Sequence, residues 1–120
     1  MGSFKELEVF QLSIQYVKSI YSTTQTFPKE ERYGLTSQLR SAAVEIPSCI
    51  AEGHGRRTSA DRKHYIDIAS GLLSEAHSQL IIANPLDYLT KSKLTKTEDF
   101  IEKLKAKLIA YQNTIKERQK

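Results

Sequence analysis

The stretch from Gly34 to Arg57 constrains the fold more than any other part of the chain. Its apolar side chains recur at spacings of three and four residues, at Leu35, Leu39, Ala42, Ile46 and Cys49. This spacing places them on one face of an α-helix, whereas the residues of a half-buried strand would alternate. Pro47 inside the pattern predicts a kink. Gly53 and Gly55, which tolerate positive φ, predict the end of the helix.

The helix before this stretch is predicted over residues 4–24. Ser3 and Glu6 have the form of a capping box at its start. Its apolar residues are Leu7, Phe10, Ile14, Val17 and Tyr21, and the apolar face is widened by Val9, Tyr16 and Ile20. A face this broad fits a helix that contacts two neighbours, or one that also faces another subunit. Phe27 and Pro28 end this helix and begin the next, which is predicted over residues 29–53.

Two further helices follow along the chain. Ser59 is the predicted N-cap of the third helix, and Asn84 and Pro85 end it. Its apolar residues are Tyr65, Ile68, Ala69, Leu72, Leu73, Ala76 and Leu80. Thr95 and Glu98 form a second capping box, which predicts the start of the fourth helix. The apolar residues of that helix follow a heptad pattern, at Ile101, Leu104, Leu108, Tyr111 and Ile115.

The lengths of these helices and of their links predict the architecture. Helices of about 20 to 25 residues span about 30 to 37 Å. Short links between rods of equal length favour antiparallel neighbours. A chain of 120 residues lies in the size range of one domain. We therefore predict an all-α fold, an antiparallel up-down-up-down four-helix bundle, as a single domain over residues 1–120 of which only residues 117–120 fray.

Cysteine usage and hydropathy predict the compartment. The only cysteine, Cys49, excludes a disulfide within the chain, and its place on the apolar face predicts a small buried side chain. No apolar run approaches the roughly 20 residues of a membrane span. The first residues lack the layout of a signal peptide. We expect a cytoplasmic protein with no membrane partner.

The residue types that carry metal and catalytic chemistry are scattered. His54, His64 and His77 lie far from one another in sequence and from Cys49. Glu75 and His77 lack the Glu-x-x-His spacing of metal sites in helix bundles. We therefore expect no metal, no cofactor, no small-molecule substrate and no catalytic residues.

One pair leaves a remote catalytic alternative open. Arg57 and His64 resemble the arginine and histidine of metal-independent ribonucleases, in which the histidine is the general base and the arginine stabilises the phosphorane charge. The match is loose, and a solvated loop with the start of a helix accounts for the same residues.

A basic segment at the start of the third helix predicts an anion-binding surface. Arg56, Arg57, Arg62 and Lys63 lie there beside the N–H groups of a helix N-terminus. Arginine forks suit phosphate oxygens, and Tyr65 can stack on a base, although packing in the core is the first interpretation for Tyr65. For the two consecutive arginines, binding and simple solvation both stay open.

Three polar residues lie beside the apolar faces: Arg40, Glu52 and Glu75. Burying any of them without a partner would cost several kcal/mol. We therefore expect Arg40 to pair with Glu75 or with Glu52. Such a pair would either fix the register of the helices or line a polar cleft, and the sequence leaves both open.

With these residues considered, the chain resembles the bacterial four-helix family of 23S rRNA-intervening sequence proteins. The densest matches are Gly34-Leu35, Gln38-Leu39-Arg40, Ala42-Ala43-Val44, Ile46-Pro47-Ser48, Ile50-Ala51-Glu52-Gly53 and Gly55-Arg56. The resemblance implies an antiparallel bundle that assembles as a homopentameric ring, similar to the accessory variability protein of diversity-generating retroelements. It implies no catalytic activity, and it assigns Arg40, Glu52, Gly53 and Arg56 to the polar surface.

The chain departs from the family pattern at four positions. Ser41, Glu45, Cys49 and Leu72 replace an arginine, a small polar residue, an asparagine and a serine. These changes remove charge or polarity, so the binding surface is expected near the end of the second helix. We predict a non-enzymatic homo-oligomer, a pentamer by resemblance, that binds RNA or DNA. A scaffold for protein partners is the alternative, and a ribonuclease is the remote one.

Overall fold

The computed structural model describes residues 2–117 and is all-α over that range. Its helices are α1 (Glu8–Thr24), α2 (Leu35–His54), α3 (Ser59–Ala83) and α4 (Lys91–Asn113), with single 3-10 turns at Phe4–Glu6 and Lys29–Glu31. The predicted all-α fold with four helices is confirmed.

Contacts between helix ends establish the alternating direction of the helices. At one end of the molecule, His54 of α2 lies 2.9 Å from the carbonyl oxygen of Gly2, which precedes α1. At the other end, Arg40 in the second turn of α2 bonds to Thr24, the last residue of α1. Glu8, at the start of α1, pairs with Lys107 near the end of α4. The helices therefore run up, down, up and down, in a body of 54 × 24 × 21 Å.

Helices α2 and α3 pack closely against each other, because their buried faces are rich in small residues. These residues are Ala42, Ala43, Gly53, Ala69, Ala76 and Ala83. At Gly53 an added Cβ would lie 2.7 Å from the Cβ of Tyr65, closer than real Cβ atoms approach. The helix ends at His54, close to the predicted end, although no glycine of residues 2–117 has positive φ. Gly53 is required by the close approach of two helices.

The starts of the first two helices differ from the predicted ones. Ser3 caps only the 3-10 turn, where its Oγ accepts from the amide of Lys5. Leu7 is extended (φ −68°, ψ 132°) and separates that turn from α1. Similarly, Gly34 (φ −112°, ψ −118°) separates the 3-10 turn at Lys29–Glu31 from α2, so α2 begins at residue 35 rather than 29. The helix then continues through Pro47.

The starts of the other two helices also differ from the predicted ones, by one residue for α3 and by five residues for α4. Thr58, not Ser59, is the N-cap of α3, and its Oγ1 accepts from the amide of Asp61. Thr90 caps α4 and accepts from the amide of Lys93, so α4 begins before the predicted capping box at Thr95. In both cases a threonine upstream of the predicted cap accepts a hydrogen bond from one free amide of the first turn.

The core of α1 is centred on a different stripe from the predicted one. Tyr16 and Ile20 are fully buried, whereas Ile14 and Tyr21 are each 42 % exposed. Val9, Tyr16 and Ile20, which were expected only to widen the apolar face of α1, form its centre. Cys49 is half-buried instead of buried; partial burial, and then the charges of Glu45 and Glu52, raise the pKa of its thiol.

The heptad pattern of α4 is confirmed, since Ile101, Leu104 and Leu108 are buried. On α3, Ile68 is 37 % exposed although it belongs to the predicted apolar face. Within residues 2–117, no helix combines the length and hydropathy required to cross a membrane. Of the predicted frayed end, Glu117 bonds to Ser59, and residues 118–120 lie outside the described range.

Candidate nucleic-acid interface

The basic residues predicted from the sequence do not form one surface. Arg40 lies in the second turn of α2, whereas Arg56 and Arg57 follow the end of that helix. Sixteen residues of helix correspond to about 24 Å along the axis. We therefore distinguish two regions. The basic end comprises Arg56, Arg57, Arg62 and Lys63, and the arginine–tyrosine groove lies around Arg40 between α1 and α2.

At the basic end, Arg56 is engaged by its own neighbours. Its guanidinium donates to the Glu52 carboxylate at 2.6 Å and to the Tyr65 hydroxyl at 2.5 Å, and it lies 4.9 Å from the centroid of the tyrosine ring. The Tyr65 hydroxyl donates to the same Glu52 oxygen at 2.8 Å. These three side chains form a closed cluster that links α2 to α3.

The protonation equilibria of this cluster reflect its hydrogen bonds. The bond from Tyr65, and then the bond from Arg56, hold the pKa of Glu52 below its ordinary value. The bond to Glu52 raises the pKa of Tyr65 and that of Arg56. The first interpretation of Tyr65 as a core residue is wrong: its side chain is half-buried and bonds at the surface.

Arg62 is not part of an exposed surface. Only 8 % of it is exposed, and its guanidinium donates to the backbone carbonyl of Lys116. Its assignment to a nucleic-acid surface is therefore wrong. Arg62 lies on the buried face of α3 and bonds to the segment that follows α4.

The predicted anion site at the start of α3 already holds a carboxylate of the chain itself. Glu117 accepts from the Ser59 amide at 3.1 Å and from the Ser59 hydroxyl at 2.5 Å, and these bonds lower the pKa of Glu117. Arg57 and Lys63 remain exposed. His64 is exposed beside them, and among the described residues no hydrogen bond joins it to Arg57.

The arginine–tyrosine groove is an open depression of about 560 Å³. It is lined by Tyr21, Arg32, Tyr33, Thr36, Ser37, Arg40, Ser41, Val44 and Glu45. The lining therefore contains two arginines, two tyrosines, one threonine, two serines and one valine, and it contains a single carboxylate.

Arg40 is fixed within the groove by neutral partners from α1. Its Nε donates to the Thr24 Oγ1 at 2.9 Å, one Nη donates to the Tyr21 carbonyl at 3.4 Å, and the guanidinium lies 4.5 Å from the Tyr21 ring centroid. The Thr24 hydroxyl itself donates to the Ile20 carbonyl, so its oxygen is oriented to accept. The predicted pairing of Arg40 with Glu75 or Glu52 is wrong.

The two glutamates have separate positions. Glu52 belongs to the cluster at the basic end. Glu75 is exposed and lines a smaller cleft of about 180 Å³ with Gln38, Ser41 and Glu45. Neither carboxylate pairs with Arg40, because Arg40 bonds to α1, whereas Glu52 bonds to Tyr65 of α3 and Glu75 belongs to α3 itself.

Arg32 and Tyr33 reach the groove from the connection between α1 and α2. The Arg32 guanidinium lies 5.6 Å from the Tyr33 ring centroid, and Tyr33 is 87 % exposed. The Glu31 carboxylate anchors this connection, since it accepts from the Leu35 amide at 3.0 Å and from the Tyr88 hydroxyl at 3.0 Å. The bond to Glu31 raises the pKa of Tyr88.

Sequence reasoning missed Tyr21, Arg32 and Tyr33 as site residues. The sequence shows an adjacent arginine and tyrosine at residues 32 and 33, but the predicted helix over residues 29–53 included both and concealed the link that presents them. The stacking of Tyr21 under Arg40 had no signal in the sequence, because it depends on how α1 and α2 are placed against each other.

The side chains of residues 2–117 form no group of three or more potential metal ligands. Residues 5–110 match the family model described as 23S rRNA-intervening sequence protein. No curated protein matches the chain.

Proposed function

Because the chain belongs to the 23S rRNA-intervening sequence protein family, we propose that it is a non-catalytic, cytoplasmic homo-oligomer that binds RNA or DNA. The observation that carries this proposal is the arginine–tyrosine groove, in which Arg40 is held in place without a carboxylate partner. The phosphate backbone is the ligand that such a group recognises best.

The donors of Arg40 support phosphate binding. A guanidinium has five N–H donors. Two of them bond to Thr24 and Tyr21, which leaves three for an external acceptor. Because the side chain is already ordered on the Tyr21 ring, a phosphate that binds it costs little additional side-chain entropy.

Assembly into a homo-oligomer is supported by apolar side chains left at the surface. Ile14 on α1, Ile82 on α3 and Ile109 on α4 are 42 %, 47 % and 50 % exposed. They lie on three different helices, and a closed ring requires two complementary patches on each subunit. We propose the pentamer that the family resemblance implies. Multi-angle light scattering tests it, and a monomer would contradict it.

Titration of a labelled structured RNA at two salt concentrations tests nucleic-acid binding. We expect the affinity to fall steeply with salt, with a logarithmic slope of about −0.7 to −0.9 for each phosphate contact. Arg40→Ala should weaken binding about tenfold, the size of a lost charged hydrogen bond. Lys18→Ala removes one exposed charge from the outer face of α1 and should change affinity less than about twofold.

Four outcomes would contradict the proposal or part of it. Binding that is weak and independent of salt would exclude a phosphate interface. Equal losses in Arg40→Ala and Lys18→Ala would exclude the groove. Capture of a protein partner with no nucleic acid would support the scaffold instead. The same RNA should stay intact during the titration; cleavage that His64→Ala abolishes would establish the ribonuclease alternative.

A further inference from the structure

Tyr33 is the more exposed of the two tyrosines of the groove, and its surroundings do not explain that exposure. Its ring is 87 % exposed and contacts the Arg32 guanidinium at 5.6 Å. A tyrosine that served the core would be buried, as Tyr16 is. An aromatic ring kept in solvent beside a cation is instead typical of surfaces that stack on a planar ligand.

The backbone that carries Tyr33 is anchored on both sides. Glu31 and Arg32 donate their amides to the carbonyls of Pro28 and Lys29 at 3.0 Å, and the Gly34 amide donates to the Glu31 carbonyl at 3.0 Å. The Glu31 side chain adds its bonds to α2 and to Tyr88. The ring is therefore presented from an ordered turn, which reduces the entropy lost on binding.

Arg40 lies farther along the same groove. From Leu35 to Arg40 the helix rises about 7.5 Å. Thr36 and Ser37, which also line the groove, lie between Tyr33 and Arg40 along the chain. Along the groove the order is thus an aromatic ring, a pair of hydroxyls and a guanidinium with free donors.

We propose that the groove binds unpaired nucleotides, with a base stacked on Tyr33 and a phosphate on Arg40, and that it prefers single strands to duplexes. This inference rests on the proposed function and specifies its ligand. In a duplex the bases stack on one another and expose only their edges in the grooves, so the Tyr33 ring has no base face to contact. A single strand offers base faces and phosphates in alternation, and every base has a π-face, so little sequence preference is expected.

Fluorescence anisotropy with a labelled 12-nucleotide single strand, tested as RNA and as DNA, and with a duplex of equal length tests this inference at one fixed salt concentration. We expect the wild-type protein to bind the single strand at least tenfold more tightly. Tyr33→Ala should lower single-strand affinity about tenfold, within the range measured for a lost base–aromatic stack. It should leave duplex affinity within about twofold. Tyr33→Phe keeps the ring and should bind as the wild type does.

The outcomes separate the two proposals. If single strand and duplex bind equally, or if Tyr33→Ala weakens both alike, the single-strand inference fails while nucleic-acid binding stands. If neither is bound, both fail. Because Tyr33 is exposed, Tyr33→Ala should keep the wild-type helicity and thermal midpoint by circular dichroism, so a loss of affinity is not a loss of fold.

Discussion

The basic end and the arginine–tyrosine groove use the same pair of residue types with opposite results. Arg56 lies 4.9 Å from the Tyr65 ring, and Arg40 lies 4.5 Å from the Tyr21 ring. At the basic end, however, Glu52 accepts from both members of the pair. In the groove, Arg40 bonds only to neutral oxygens. An arginine in the sequence is thus available to an anion only where the fold supplies no carboxylate.

This difference predicts that the basic end is a structural joint, which holds α2 against α3, and that the groove is the binding surface. Substitutions of the bonded side chains at the basic end, such as Arg62, should change the free energy of unfolding and leave nucleic-acid affinity nearly unchanged. The variants below test that division, because each affects the joint and has a control residue nearby.

The largest effect is expected from Arg62→Ala. This change removes a buried side chain, opens a cavity and leaves the Lys116 carbonyl without its donor. We expect a loss of about 2–4 kcal/mol in the free energy of unfolding, measured by urea denaturation. Lys63→Ala, one residue along and exposed, should change it by less than about 0.5 kcal/mol.

Affinity for the labelled single strand is the second readout for this pair. Under conditions where Arg62→Ala is folded, its affinity should match that of the wild type. If Arg62→Ala binds tenfold more weakly with an unchanged unfolding free energy, Arg62 belongs to the binding surface and the division between joint and groove is wrong.

The fate of Arg62 illustrates what the sequence could predict. The heptad at Ile101, Leu104 and Leu108 predicted the buried face of α4, because burial along one helix follows from its period. The period of α3 equally places residue 62 in line with Ile66 and Leu73 on the buried face. The charge of its side chain outweighed that position in the prediction, and its partner, a carbonyl beyond α4, depends on tertiary structure.

The basic end and the groove show the same limit of prediction from sequence. Glu52 and Arg56 are four residues apart, so their ion pair follows from helix geometry alone. Arg40 and Thr24 are sixteen residues apart on different helices, and the bond between them depends on the packing of α1 against α2. Local spacing predicted the helices, whereas contacts between helices decided which cations stay available.

A smaller effect is expected at Gly53, where α2 crosses closest to Tyr65. Gly53→Ala would place a Cβ 2.7 Å from the Tyr65 Cβ, so the helices must separate. We expect a loss of about 1–3 kcal/mol in the free energy of unfolding. Gly71→Ala is the matched control, because its Cβ would meet nothing within 4 Å on the exposed face of α3. It should stabilise the protein by about 0.5–1 kcal/mol through its helix propensity.

Equal destabilisation by both alanines would mean that the approach at residue 53 is not the cause. Single-strand affinity should be unaffected by either change, since both positions lie away from the groove. A loss of affinity confined to Gly53→Ala would show that the joint transmits its geometry to Arg40, and the two regions would then act as one.

The smallest effect concerns pH, and it too should arise at the basic end. Glu52 and Glu117 have folded-state pKa values below the ordinary value of about 4.3, because they accept hydrogen bonds from Tyr65, Arg56 and Ser59. A lowered folded-state pKa contributes stability that is fully present above the unfolded pKa and is lost as the pH falls through the folded pKa. Urea midpoints should therefore decline below about pH 4.3. In the double variant Glu52→Gln/Glu117→Gln the decline should be shallower, whereas in Glu102→Gln, an exposed carboxylate of α4, it should match the wild type. If the double variant declines as steeply as the wild type, these carboxylates do not hold the joint together, and the contrast with the groove loses its electrostatic basis.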